Sequence, residues 1–311
     1  MHTAIKAIAA ATIISAAAPS HSASRIEQVH YHTVQIQGVE VFYREAGSPQ
    51  APTVLLLHGF GASSYMFREL MPKLAAKYHV IAPDLPGFGQ TTVLPGTKFD
   101  YTFDKLASVI DDFTIARGID KYAMYVFDYG APVGWRLAVK HPQKITAIVS
   151  QNGNGYEVGL SDGWADPRKA WADPSPANRA ALAKFNSLEM TRWQYTEGVR
   201  DVSTVAPEGY QLAVAATERI GVEHQIDLLV DYRNNIKQYP QLHQYFRQYQ
   251  PPTLLIWGDK DPFFLPAGAE AFKADNPKAE VRFLDTGHFA IETHGAEIAD
   301  AMLEFLDRTV K

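Results

Sequence analysis

Three residues at the ends of apolar runs could together perform covalent chemistry: Asp128, Asp261 and His288. Asp128 lies in the stretch KYAMYVFDYGAPVGWR (Lys121 to Arg136). Before it, Tyr122, Tyr125, Val126 and Phe127 have the aromatic and β-branched character of a buried parallel strand. After it, Gly130, Ala131 and Pro132 open a helical pattern that continues to His141 and stops at Pro142. Proline suits a first helical turn, where its missing N–H is not needed. The carboxylate therefore stands on a sharp strand-to-helix turn, with Gly130 leaving backbone room and the helix N-terminus favouring negative charge. This is the geometry of a nucleophile elbow that carries Asp instead of Ser. Taken alone, the same Asp could simply cap the helix.

Asp261 follows the run PTLLIWG, in GDKDP, and His288 follows AEVRFLDTG, in DTGHF. Singly, an Asp before Pro262 is a turn residue and a lone His is structural. Together, at corresponding strand ends, the three stand in the chain order nucleophile, acid, base. A carboxylate nucleophile also restricts the electrophile. Attack on an ester would give an anhydride, whereas attack on a saturated carbon with a good leaving group gives a stable alkyl ester. His288, oriented by Asp261, would then activate water against the ester carbonyl and regenerate the carboxylate.

The surrounding pattern supplies a scaffold. An alternating pair, VHYHTVQIQ and VEVFYREAG, turns at Gly38. The apolar strand Thr53 to Leu57 runs into His58, Gly59, Phe60 and Gly61, and a helix is expected over 65–77. YHVIAPD reads as a strand, residues 102–119 as a helix capped by Thr102, and ITAIVSQN (145–152) as another strand. Gly87 and Gly89 form no full G-x-G-x-x-G, which disfavours a dinucleotide site. From Gly153 to about Gln250 the chain is rich in Trp, Tyr, Asn and Pro, with helical patterning at 176–191 and 209–232 and no compelling strand. Strands resume at 252–258 and 279–287, with helices expected over 267–274 and 298–306. Such alternation predicts an α/β fold: a mostly parallel central sheet with helices on both faces and a helical cap insertion.

Composition narrows the partners. With 46% hydrophobic residues the chain can bury a large core, and a net charge of -5 without a Lys/Arg cluster argues against nucleic acid. The absence of cysteine excludes disulfides and thiolate chemistry. His30 and His32 share a strand face but lack a third ligand, so neither metal nor other cofactor is expected. Residues 1–24 combine Lys6, the apolar run Ala7 to Ala18 and the small residues Ser22 and Ser24, the pattern of a secretory signal peptide. It is too short for a stable membrane anchor. The expected organisation is a signal peptide (1–24), a first core part (25–152), a cap (153–250) and a second core part (251–311). The mature chain would be secreted, to the periplasm if the source is bacterial.

HGFG, DLPGFGQT, VFDYGAPVG, GDKDP and DTGHF together resemble the α/β-hydrolase family branch with an aspartate nucleophile, which includes epoxide hydrolases and haloalkane dehalogenases. No G-x-S-x-G occurs in the sequence, so the serine version has no nucleophile. The resemblance implies that the backbone N–H groups of Phe60 and Tyr129 form the oxyanion hole. It also implies acids on the cap: DYRNN is similar to the element carrying one such tyrosine in epoxide hydrolases and points to Tyr232, with Tyr195 as the second. Tyr245 is the alternative second tyrosine, and Trp193 is expected to line the pocket or serve a halide. Tyr129 and Phe60 stand where the dehalogenase pattern usually has Trp and a polar residue, so an epoxide is favoured. The expected reaction is hydration of an apolar small-molecule epoxide to a vicinal diol. The alternatives are a haloalkane or haloacid dehalogenase and a non-catalytic binding protein of the same fold.

Overall fold

The computed structural model describes residues 28–310. The expected signal peptide lies outside the described residues. The first elements among the described residues are β1 (His30–Ile36) and β2 (Val39–Ala46), an antiparallel hairpin. Its turn places Gln37 and Gly38 at φ of 52° and 76°, the left-handed pair that matches the twist of a tight hairpin. Next come β3 (Thr53–Leu57), β4 (His79–Pro83), β5 (Thr92–Val93), β6 (Tyr122–Phe127), β7 (Ile145–Gln151), β8 (Thr253–Gly258) and β9 (Glu280–Leu284). They form one sheet in the order β1-β2-β4-β3-β6-β7-β8-β9, with β5 alongside β2. All pairs from β4 to β9 along that order are parallel.

The expected mostly parallel sheet with helices on both faces is thus what the chain forms. Strands β4, β6 and β8 are buried along their whole length, which is why each reads as an unbroken apolar run. Side chains still alternate between two apolar layers: Leu55, Leu57, Met124 and Val126 enter one, Leu56, Ala123, Tyr125 and Phe127 the other. Among the described residues, the first half of the chain contributes the α-helices α1 (Leu70–Leu74), α2 (Phe103–Ala116) and α3 (Gly130–Lys140). Thr102 caps α2, its side chain accepting from Lys105 N.

Between β7 and β8 the chain is helical, with no strand: α4 (Ala165–Ala172), α5 (Pro176–Ala181), α6 (Leu188–Thr196), α7 (Pro207–Ile220) and α8 (Val222–Tyr249), joined by short 3-10 turns. Helices α9 (Pro266–Asp275) and α10 (Ala290–Thr309) complete the chain.

Several boundaries differ from the sequence expectation. The helix expected over 65–77 is a 3-10 turn, Ser64–Phe67, followed by α1, because Pro72 forces a fresh first turn. The pattern over 209–232 is broken by Gly221, at φ 113°, and α8 then continues through Pro240 to Tyr249. Burial of Tyr239 just before the proline and of Leu242, Tyr245 and Phe246 beyond it offsets its helix penalty. Helix α10 begins eight residues before Ile298, with a non-helical His294 inside it.

Candidate active site

The site is built on the junction of β6 and α3. Asp128 sits between them at φ 45°, a left-handed conformation that costs a non-glycine residue roughly 1–2 kcal/mol. Close packing holds it there. A Cβ on Gly130 would come within 2.2 Å of the Leu57 carbonyl oxygen, and one on Gly59 within 2.4 Å of Asp128 Cβ. The loop after β3 thereby presses against the elbow, and Phe60 N–H donates to Asp128 Oδ1 at 2.5 Å. The Tyr129 N–H donates to the same carboxylate. Both N–H groups expected to serve an oxyanion point at the side chain on which it would form.

His288 lies in the turn between β9 and α10. Its Nδ1 is 2.7 Å from Asp261 Oδ2, and its Nε2 is 3.7 Å from Asp128 Oδ2. Asp261 Oδ1 accepts from the N–H groups of Phe263 (2.7 Å) and Phe264 (3.1 Å), which fix the carboxylate. With Nδ1–H donated to Asp261, a neutral imidazole turns its Nε2 lone pair towards Asp128. Burial pushes the Asp128 carboxyl up to about 6, against the lowering effect of His288 and the two N–H donors. For His288, burial disfavours the imidazolium, but Asp261 outweighs it and holds the group above its usual range.

Two residues that sequence reasoning passed over complete the support. Asn152, at φ 48° just beyond β7, donates from Nδ2 to Asp261 Oδ2 at 2.7 Å and accepts from Gly258 N–H at 2.9 Å. Gln151 donates to Asn152 Oδ1 and to the His288 carbonyl, and accepts from Tyr125 Oη. Their signal in the sequence was two consecutive amides ending an otherwise apolar strand.

The family model for the alpha/beta hydrolase fold matches residues 52–295. The chain belongs to the α/β-hydrolase family. It is 45% identical over 280 residues to an uncharacterised hydrolase of Saccharomyces cerevisiae, covering 88% of this chain and 96% of that one. It is 25% identical over 258 residues to epoxide hydrolase 4 of Mus musculus, covering 78% and 69% of the two chains. Among solved structures it is similar to the haloalkane dehalogenase DbeA of Bradyrhizobium elkani (TM-score 0.72, 23% identity, 91% and 100% coverage). An epoxide hydrolase of Vigna radiata is also similar (TM-score 0.71, 23% identity, 90% and 98% coverage).

In this α/β-hydrolase Asp128 and His288 open onto a small cavity of about 30 Å³. Phe60, Tyr129 and Phe263 line it from the core. Trp164, Pro167, Phe185, Gln194 and Leu229 line it from the segment between β7 and β8.

The side chains expected from the cap are placed differently. Tyr232 is buried behind the lining, with Trp164 packed over it at 4.3 Å, and its hydroxyl hydrogen-bonds to Tyr239. Tyr195 stacks on Phe289 at 3.7 Å and donates to the Gly61 carbonyl. Tyr245 packs against Phe246 and Tyr249, away from the cavity. Trp193 is 37% exposed in an outer surface depression with Leu188 and Tyr210, packed edge-on against Phe263. None of these four lines the cavity. Aromatic residues on helices also serve as packing residues, and a short motif does not say which way a helix turns.

Proposed function

We propose that this hydrolase converts a neutral, apolar epoxide to a vicinal diol through an alkyl ester on Asp128. The observation that carries the reading is the carboxylate at the base of an apolar cavity, held by two backbone N–H groups, with the His288–Asp261 pair 3.7 Å away. In the first step Asp128 would attack an epoxide carbon, and the breaking C–O bond would leave its electrons on the ring oxygen. In the second, His288 would take a proton from water as its oxygen adds to the ester carbonyl. The Phe60 and Tyr129 N–H groups would stabilise the resulting oxyanion, each worth about 10²–10³ in rate. Collapse releases the diol oxygen, which recovers the proton from His288.

The cavity wall supports a neutral epoxide over a halide or a haloacid. Among the described residues no Lys or Arg lines it, so a substrate carboxylate would be buried unpaired. A leaving halide needs N–H donors, yet four indoles are already committed: Trp135, Trp164, Trp171 and Trp257 donate to the carbonyls of Asn154, Phe263, Leu229 and Phe264. We also propose, from the N-terminal pattern alone, that the chain is exported.

The variant His288→Gln separates the half-reactions. Incubated with a styrene-type epoxide, it should accumulate an adduct on the peptide carrying Asp128, heavier by the full mass of the epoxide. A bromoalkane would add only its alkyl group and release bromide. If wild type makes diol and this variant never shows the adduct, covalent catalysis by Asp128 is wrong.

A further inference from the structure

Opening an epoxide leaves an alkoxide that must be protonated, so the cavity needs an acid. The polar side chains in its wall are Asp128, Tyr129, Trp164, Gln194 and His288. Asp128 is spent as nucleophile, and His288 must keep its Nε2 lone pair for water. The Trp164 indole donates to Phe263 O at 3.2 Å. Gln194 Nε2 donates to Phe185 O at 3.2 Å, and an amide does not surrender a proton near neutrality.

Tyr129 is different. It is one of the residues that line the cavity, and its ring is framed by Phe60, Phe88, Phe103 and Tyr232. The residue is 1% exposed, and its Oη is buried with no hydrogen-bond partner. Buried hydroxyls ordinarily find partners, because an unmet one has lost its water for nothing. An orphan phenol one residue from the nucleophile is what a site would show before a hydrogen-bonding guest arrives.

Resting on the epoxide reading, we infer that the Tyr129 phenol is the acid that protonates the leaving oxygen, in place of the cap tyrosines Tyr232 and Tyr195. Burial first, and the Asp128 carboxylate second, hold this phenol well above its usual range, so it remains a protonated donor across neutral pH. The step balances. As the Asp128–carbon bond forms and the ring C–O bond breaks, the ring oxygen takes the Oη proton and leaves a phenolate. Hydrolysis of the ester then produces Asp128 as the carboxylic acid, which returns a proton to the phenolate. Both groups are restored, and the net reaction is epoxide plus water to diol.

The test measures adduct formation by rapid quench and intact mass, in the His288→Gln background, for Tyr129→Phe, Tyr232→Phe and Tyr195→Phe. Removing a positioned acid costs about 10²–10⁴-fold, so Tyr129→Phe should slow adduct formation by that factor while the other two change it less than tenfold. With His288 intact, hydrolysis of the ester once formed should proceed at the wild-type rate in Tyr129→Phe, a split that a merely structural role does not produce. The melting temperature should hold or rise, because the lost hydroxyl had no partner. Incorporating 3,5-difluorotyrosine at position 129 should move the alkaline limb of adduct formation to lower pH. Adduct formation within threefold of the parent in Tyr129→Phe overturns the inference, as does a large loss carried by Tyr232→Phe or Tyr195→Phe instead. Either result leaves the Asp128 ester standing. Diol production by wild type without any adduct in the parent variant rejects that ester and this inference together, and so does absence of diol from wild type.

Discussion

Replacing Asn152 with Ala tests whether the amide beyond β7 holds the acid of the site. Three losses follow from its contacts. The buried Gly258 N–H is left without an acceptor, at about 1–3 kcal/mol, and Asp261 loses a donor to a charged oxygen, at about 1.5–3 kcal/mol. Alanine at φ 48° adds about 1–2 kcal/mol of backbone strain. Terms sharing one site do not add fully, so a net loss of about 4 kcal/mol is expected, or roughly 8–16 °C in melting temperature. Asp261 keeps the N–H groups of Phe263 and Phe264, so His288 should be loosened but not released. Transmission of about 1.4 kcal/mol to the water-activating step would slow ester hydrolysis about tenfold, while attack by Asp128 changes little. Calorimetry and single-turnover mass spectrometry read the two effects. Asn152→Gly should melt above Asn152→Ala, because glycine accepts the left-handed conformation. If Asn152→Ala melts within a degree of wild type and hydrolyses the ester at the same rate, the network does not position Asp261.

In the proposed mechanism Asp128 attacks only when ionised, and burial lifts it to about 6, so kcat/KM for an epoxide should fall as pH drops through about 6. A limb near 4 would contradict this. The same shift affects stability in the opposite sense to an ordinary paired carboxylate. The folded chain binds more protons than the unfolded chain between the ordinary carboxyl value of 3.8 and about 6, so this group's contribution worsens as pH rises through that window. Asp128→Asn should therefore raise the melting temperature at pH 7.5, by at most about 3 kcal/mol equivalent, with the gain shrinking towards pH 4. An equal gain at both pH values would exclude charge burial as its source. Gly59→Ala would drive a methyl group to 2.4 Å from Asp128 Cβ and should abolish adduct formation even if the chain folds; normal adduct rates would refute the packing argument. Full-length chain expressed in a bacterium should yield a periplasmic product with an N-terminus near Arg25, and an intact Met1 in all fractions would end the export proposal.

The sheet and the elbow were legible because their signals are local. A parallel strand buried on both faces has to be apolar throughout, and a strand-to-helix reversal at Asp128 needs Gly130 behind it. The segment between β7 and β8 was readable only as helical. Its many aromatics give no local sign of whether they face the cavity, as Trp164 does, or pack elsewhere, as Tyr195 and Tyr245 do. The continuation of α8 past Pro240 was hidden for a related reason, since a tertiary contact there overrides a local penalty. Asn152 went unnoticed because its partners lie 106 and 109 residues away. Nothing near it in the chain indicates a hydrogen bond to the acid.

The cavity takes its reactive groups from the ends of sheet strands and much of its inner shape from Trp164, Pro167, Phe185, Gln194 and Leu229, which arrive on a single contiguous insertion. In the proposed function, reactivity and guest selection are therefore encoded in separable stretches of the chain. A transplanted insertion from a relative, joined after β7 and before β8, would redirect which molecules are accepted while the bond-making apparatus beneath stays as it is.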